Sequence, residues 1–441
     1  MQAVTGIGRA HTREVDTYRA EDASQTRGQA KRQVAYDAAM PPKGHHRKVY
    51  TPPVRALSPV EVAADADPMT HIEVLASDAM RGRDSPSPEL DKAAAYISAF
   101  AQKYGLIGPN AADPQGPYYQ TFSMFAYPSS PFERSPYGGD LGNPVPPRPR
   151  LFERGFFLDS TTKQEDLDVV AERLSERFPG GVPLRTPLKL VGDAATRARI
   201  LAKLAKELPL AGQVQNVVGL LPGDGPHKDE VIVVMAHYDH IGARGTRIYN
   251  GADDNASGSA VTMSMLPALA ELKKQGKLDR SILFLWTAAE EKGLVGASYY
   301  VKHPLPKLGL KEIVGVVNVD MIGRLNAEQV SYIDSSNGER NYFHAVHDAA
   351  NKGLANPFDH QNHDVDQYVR QQDGYAFTRA GEDVLFVYEG LTNLTGGGSE
   401  NPDYHTTRDT IDAMKKDNGG TKARHISELV TRIVGLAANR P

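Results

Sequence analysis

The chain has 441 residues, a formal net charge of −4 and no cysteine. A disulfide framework, a thiolate metal site, an iron–sulfur cluster and a cysteine nucleophile are therefore excluded. The mild acidity gives no overall basic signature for nucleic acid, and no apolar run reaches the roughly 18 residues of a membrane span.

Residues 1–56 carry ten Lys/Arg against five Asp/Glu, a net +5, so the rest of the chain carries −9. This stretch is poor in large apolar side chains and holds Pro-Pro twice, which reads as a disordered basic tail. It shows no apolar segment behind a charged start, so no secretory signal is visible and the compartment stays unknown. Residues 57–124 read as the first part of the folded domain. Within them Ala93, Ile97, Phe100 and Tyr104 recur at helical spacing over 89–104, and Gly105 follows as a stop.

Residues 125–212 read as an insertion or lid: a Pro/Gly/Tyr-rich stretch over 126–149, then two polar helical segments near 164–177 and 194–207. Residues 213–441 form the main domain. Its continuous apolar, β-branched runs at 231–235, 282–285, 313–319 and 384–387 predict strands buried on both faces. Helical stretches at 257–274, 294–301, 341–352 and 425–437 fall around them. Such alternation predicts an α/β three-layer sandwich, a mostly parallel mixed sheet with helices on both faces, plus the insertion.

In open α/β sheets ligands bind beyond the carboxyl ends of the strands. The first of these strands runs into Ala236-His237-Tyr238-Asp239-His240, the second reaches Glu290-Glu291, and the third runs into Asp320. Asp253-Asp254 precedes a helix, and a late loop carries Asp403-Tyr404-His405-Thr406-Thr407-Arg408-Asp409. Singly, each has an ordinary reading: a helix cap, a solvated face. Gathered at one sheet edge, the acids would repel one another unless a cation neutralised them. Oxygen ligands with imidazole and no sulfur fit zinc or another first-row divalent ion. The supply of ligands exceeds the three of a usual single catalytic zinc, so two metals sharing a carboxylate fit better. Of the neighbours Glu290 and Glu291, one can ligate while the other handles protons.

These residues resemble the co-catalytic di-zinc aminopeptidase family of the bacterial leucyl aminopeptidase type, related to glutamate carboxypeptidase and the transferrin receptor. The resemblance runs from about Leu75 to the C-terminus, with a gap across the insertion. It rests on the 236–240, 251–258, 289–297, 318–323 and 403–410 segments, with Leu75-Ala76-Ser77-Asp78 and Gly82-Arg83 ahead of them. It implies a metallo-aminopeptidase holding two Zn2+ and releasing N-terminal residues from peptides with a free N-terminus through a metal-bridging hydroxide. It further implies that His237 and Asp320 hold one metal, Glu291 and His405 hold the other, and Asp253 bridges them. Glu290 would be the general base, Asp239 would orient the His237 imidazole, and a cis peptide would lie in the Asp253–Asp254 region. One departure stands out: Gly374 occupies a place where the family often has a His near the substrate, which leaves side-chain preference open.

Three rival readings share parts of this pattern. A carboxypeptidase or deacylase type places its bridging Asp in a Gly-Arg-Gly setting, unlike the Gly-Ala-Asp-Asp-Asn-Ala-Ser-Gly found here. A glutaminyl cyclase uses one zinc on a similar scaffold. A non-catalytic receptor module loses ligands that this chain keeps. The polar run 360–366 reads as a surface loop rather than a further ion site, Asn393-Leu394-Thr395 as a sequon only in a secretory setting, and the three glycines 396–398 as a flexible connection.

Overall fold

The computed structural model describes residues 64–127, 154–178, 184–324, 329–335, 343–360, 366–388, 403–417 and 419–439. The expected basic tail, the run 361–365, the sequon at Asn393, the glycines 396–398 and most of the 126–149 stretch lie outside them. Among the described residues the strands are β1 (Tyr119–Ala126), β2 (Gly155–Phe156), β3 (Leu210–Leu221), β4 (Val231–His237), β5 (Ala243–Arg244), β6 (Arg247–Ile248), β7 (Ser281–Thr287), β8 (Ile313–Val319), β9 (Gln329–Ser335), β10 (Asp359–His360) and β11 (Val384–Tyr388).

Nine of these form one mixed sheet in the order β10-β9-β11-β8-β4-β7-β3-β1-β2, with two-residue strands at both edges; β5 and β6 pair separately. β4 runs parallel to β7 and β8, and β8 parallel to β11. β3 and β1 continue the sheet antiparallel beyond β7. Every residue of β4, β7 and β11 is buried, which is why their interiors are runs of apolar residues rather than alternating.

Alternate residues of β4 serve opposite faces. Ile232 and Val234 join a large cluster with residues of the helices Pro68–Leu75, Pro88–Lys103, Gly258–Ser264, Leu266–Lys274 and Gly419–Ala438. Val231, Val233 and Met235 join a second cluster with Ala297 and Tyr300 of helix Val295–Lys302 and Ala376 and Phe377 of helix Gly374–Ala380. Each fully buried Val, Ile or Leu contributes about 1.5–3 kcal/mol, so both faces are closed by the same pattern that builds the strands. The expected α/β sandwich with helices on both faces is the architecture found.

The helix at 89–104 is Pro88–Lys103; Ser87 Oγ caps it by accepting from Leu90 N at 3.0 Å, and Pro88 sits where no amide donor is needed. The single helix expected over 257–274 is two, Gly258–Ser264 and Leu266–Lys274, because Pro267 lacks the N–H a continuous helix would use. The last helix starts earlier than expected, at Gly419. Strands β1 and β3 bound the 125–212 region. The described parts of that region, including helices Gln164–Arg177 and Ala194–Glu207, gather Leu167, Val170, Leu174 and Leu204 into a smaller cluster on Phe125 and Tyr127. No helix among the described residues is long and apolar enough to cross a membrane.

Candidate metal centre

Three parallel strands deliver their acidic and imidazole side chains to one edge of the sheet. His237 closes β4, Glu290 and Glu291 follow β7, and Asp320 follows β8. The loop after β7 is held from below by Asn216 of β3, whose Oδ1 accepts from Ala288 N at 3.1 Å and whose Nδ2 donates to Gly296 O at 3.0 Å. Gly296 must be glycine, since a Cβ would stand 2.2 Å from Ala288 O. The fully buried Arg83 ties the N-terminal segment to the site by donating to Tyr238 O, Asn250 O and Gly251 O at 2.8–2.9 Å, and also to Leu75 O.

The segment Ala252–Ser257 brings a further carboxylate. Asn255 Nδ2 donates to Val319 O at 3.0 Å, and Ser257 Oγ accepts from Ile322 N at 3.2 Å, which fastens it beside Asp320. Asp409, from the late loop, accepts from the amides of Asp253 and Asp254 at 2.9 and 3.1 Å. Burial pushes the Asp409 carboxyl up to about 8, with Asp253 adding to the effect.

Asp254 stands at the middle of the site. Its Oδ1 lies 3.4 Å from His237 Nε2, and its Oδ2 lies 3.0 Å from His405 Nε2. Asp320 Oδ1 approaches His237 Nε2 to 3.4 Å, and Glu291 Oε2 approaches His405 Nε2 to 3.1 Å. Two ligand-type groups result, one of His237, Asp254 and Asp320, the other of His240, Asp254, Glu291 and His405, with Asp254 common to both. Tyr404 stacks on the His405 ring at 3.8 Å between centroids.

Five residues singled out from the sequence thus converge: His237, Glu290, Glu291, Asp320 and His405. The bridging position differs. Asp253, expected there, turns its carboxylate the other way and accepts from Gly323 N at 2.8 Å. The physical reason is the backbone. Gly251 adopts φ +60, where a Cβ would meet Asp254 O at 2.3 Å, and Asp254 takes a non-helical φ/ψ of −104/98, so adjacent side chains diverge. The cis peptide joins Asp254 to Asn255. Asp239 differs in detail as well. His237 Nδ1 bonds to its main-chain oxygen at 3.2 Å, its carboxylate stays 3.6 Å away, and that carboxylate accepts from Glu290 N at 3.1 Å instead. His240, Asp254 and Asp409 stand within the segments singled out from the sequence but received no role there; the signal for His240 was a second His three residues past His237, at the end of a buried strand. Gly374 is buried, and a Cβ there would stand 2.6 Å from Gln372 Oε1, so no larger side chain fits without movement.

The two glutamates are driven apart. Burial, with Glu291 beside it, raises Glu290 well above the usual carboxyl range. Burial acts the same way on Glu291, but His405 and His240 bring it down to about 2. Separation of this kind marks one acid that handles protons and one that stays ionised. Burial opposes charge on the imidazoles, yet Asp320 and Glu290 lift His237 well above its ordinary value, and Glu291 and Asp254 lift His405 to about 10. Imidazoles so raised hold protons at neutral pH and must release them to ligate a cation. Zinc uptake should therefore release protons, and zinc affinity should fall as the pH is lowered. Calorimetric titrations in buffers of different ionisation enthalpy measure this; uptake without proton release would mean that His237 and His405 are already neutral before the cation binds.

Residues 216–430 match the model of Peptidase family M28. A probable leucine aminopeptidase of Arthroderma otae is 26% identical over 302 residues, which cover 58% of this chain and 79% of that one. Aminopeptidase YwaD of Bacillus subtilis is 28% identical over 272 residues, and the chain spans about half of its length, 52%, while 59% of this chain is covered. Among solved structures, a zinc aminopeptidase from Bacillus subtilis superposes with a TM-score of 0.53 at 19% identity, covering 87% of this chain and 97% of that one, a likeness of fold.

Proposed function

We propose, from the match of residues 216–430 to the model of peptidase family M28, that the protein is a zinc-dependent aminopeptidase that hydrolyses the N-terminal bond of peptide substrates. The observation that carries this reading is the buried Asp254 carboxylate, with one oxygen facing His237 and the other facing His405. The donor set fits zinc, being imidazole and carboxylate without sulfur. Asp320 Oδ1 is buried without a hydrogen-bond partner, as an oxygen aimed at a cation would be.

In this reading His237, Asp254 and Asp320 hold one ion, and Asp254, Glu291 and His405 hold the other. Bound zinc supplies Lewis-acid polarisation of the scissile carbonyl and lowers the pKa of water towards about 7. Glu290 accepts the proton of the attacking water and delivers it to the departing amine, the task its raised pKa suits. Its main chain is held by the Asp239 carboxylate, which keeps it beside His237. The excess of carboxylates favours a substrate whose N-terminus is a free ammonium group.

A panel of aminoacyl-chromophore substrates, run with metal-quantified protein, tests the proposal. Chromophore release should require zinc and should vanish when the substrate amine is acetylated. Equal cleavage of acetylated and free substrates would overturn the aminopeptidase reading, and so would no cleavage of either by protein holding two zinc ions.

A further inference from the structure

His240 is fully buried and takes no part in the roles assigned above. Its Nδ1 lies 2.8 Å from Glu291 Oε1 and 3.7 Å from Asp254 Oδ2, and its ring centroid is 5.6 Å from that of His405. The ring rests on Gly251, where a Cβ would come within 2.5–2.6 Å of it, and the His240 main-chain amide donates to Arg83 O at 3.2 Å. Its Nε2 is buried with no hydrogen-bond partner.

A carboxylate that holds a cation is ionised and can only accept, so the proton of the 2.8 Å contact belongs to Nδ1 of His240. The alternative, in which Nδ1 itself binds the metal, fails on the other nitrogen. Ligating histidines almost always donate their second ring N–H, as His237 Nδ1 does to Asp239 O at 3.2 Å. A metal-bound His240 would leave an Nε2–H buried and unpaired, whereas a donating Nδ1–H leaves there only a bare lone pair.

We propose that His240 is a positioning residue for the second metal site: its Nδ1–H engages Glu291 Oε1, so that Glu291 offers the cation a single oxygen, Oε2, beside His405 and Asp254. The inference rests on the two-zinc reading above. Its consequence is selective, because Glu291 belongs to the ligand-type group of His405 and not to that of His237 and Asp320.

Stepwise zinc titration of the metal-free full chain tests it. The parent should bind two zinc ions; if it does not, the two-zinc reading fails before this one is reached. His240→Leu keeps bulk and removes the donor, and should weaken one binding step by roughly 10- to 100-fold while leaving the other unchanged. His240→Asn, whose side-chain amide places a donor near the former Nδ1, should restore most of that loss. Weakening of neither step or of both alike, or an Asn variant as impaired as the Leu variant, overturns the proposal. Should His240→Leu fail to fold, histidine 15N spectra of the zinc-loaded parent decide. A His240 resonance set, assigned by its loss in His240→Asn, with the proton on Nδ1 and a bare Nε2 supports the assignment, and zinc on Nδ1 overturns it.

Discussion

Glu290→Gln should leave zinc content intact and reduce kcat by about 10²- to 10⁴-fold, the span a positioned general base supplies. The expectation follows from where Glu290 sits. It belongs to neither ligand-type group, and its Oε2 stays 4.0 Å from His237 Nε2, farther than the 3.0–3.4 Å separations among the ligand-type atoms around Asp254. Glutamine matches its volume and keeps the main-chain bond to Asp239, so the loop that also carries Glu291 should hold its shape. What is lost is the proton-accepting oxygen, an interaction made as the reaction proceeds. kcat and kcat/KM should then fall together with little change in KM. Glu291→Gln should behave differently, losing zinc along with turnover, because Glu291 stands among the ligand-type atoms, 3.1 Å from His405 Nε2. Metal analysis beside steady-state kinetics separates the two variants. Near-normal turnover in zinc-loaded Glu290→Gln would end its assignment as the base.

The central strands and the edge that carries the site are legible in the sequence because burial on both faces leaves a one-sided record: β4, β7, β8 and β11 are apolar through most of their length, and the charged residues begin at or just past their ends. β1 and β3 are less visible. β1 alternates between buried and half-buried positions, and β3 carries Gln213, Gln215 and Asn216 within its span. Asn216 is buried because it fastens the Glu290 loop, a requirement that no local pattern announces. Arg83 is similar, since the carbonyls that it satisfies belong to residues 75, 238, 250 and 251. The choice between Asp253 and Asp254 is the sharpest instance. Both are buried acids in one motif, and only the turn following Gly251 decides which of them faces the histidines.

That choice sets the second large effect. Asp254→Ala should abolish zinc-dependent activity and weaken both binding steps, by more than the roughly 10- to 100-fold that a change outside the ligand set costs. Asp254 is the one residue shared by the two groups, so its loss leaves each with fewer donors. It is also held ionised: burial opposes the charge, but hydrogen bonds from His237 and His405 keep it well below the ordinary carboxyl range. Asp253→Asn is the control. Its retained Oδ1 can still accept from Gly323 N, the 2.8 Å bond that faces away from the imidazoles, so zinc content should stay near that of the parent. Asp253→Ala would remove that bond as well, and any zinc loss there would mix a loosened loop with a missing ligand, which is why asparagine is the cleaner change. If Asp253→Asn sheds zinc while Asp254→Asn keeps it, the bridge belongs to Asp253 and the placement of Asp254 between the histidines is not the functional one. The reverse result would tie the shared ligand to the residue that the Gly251 turn aims into the site.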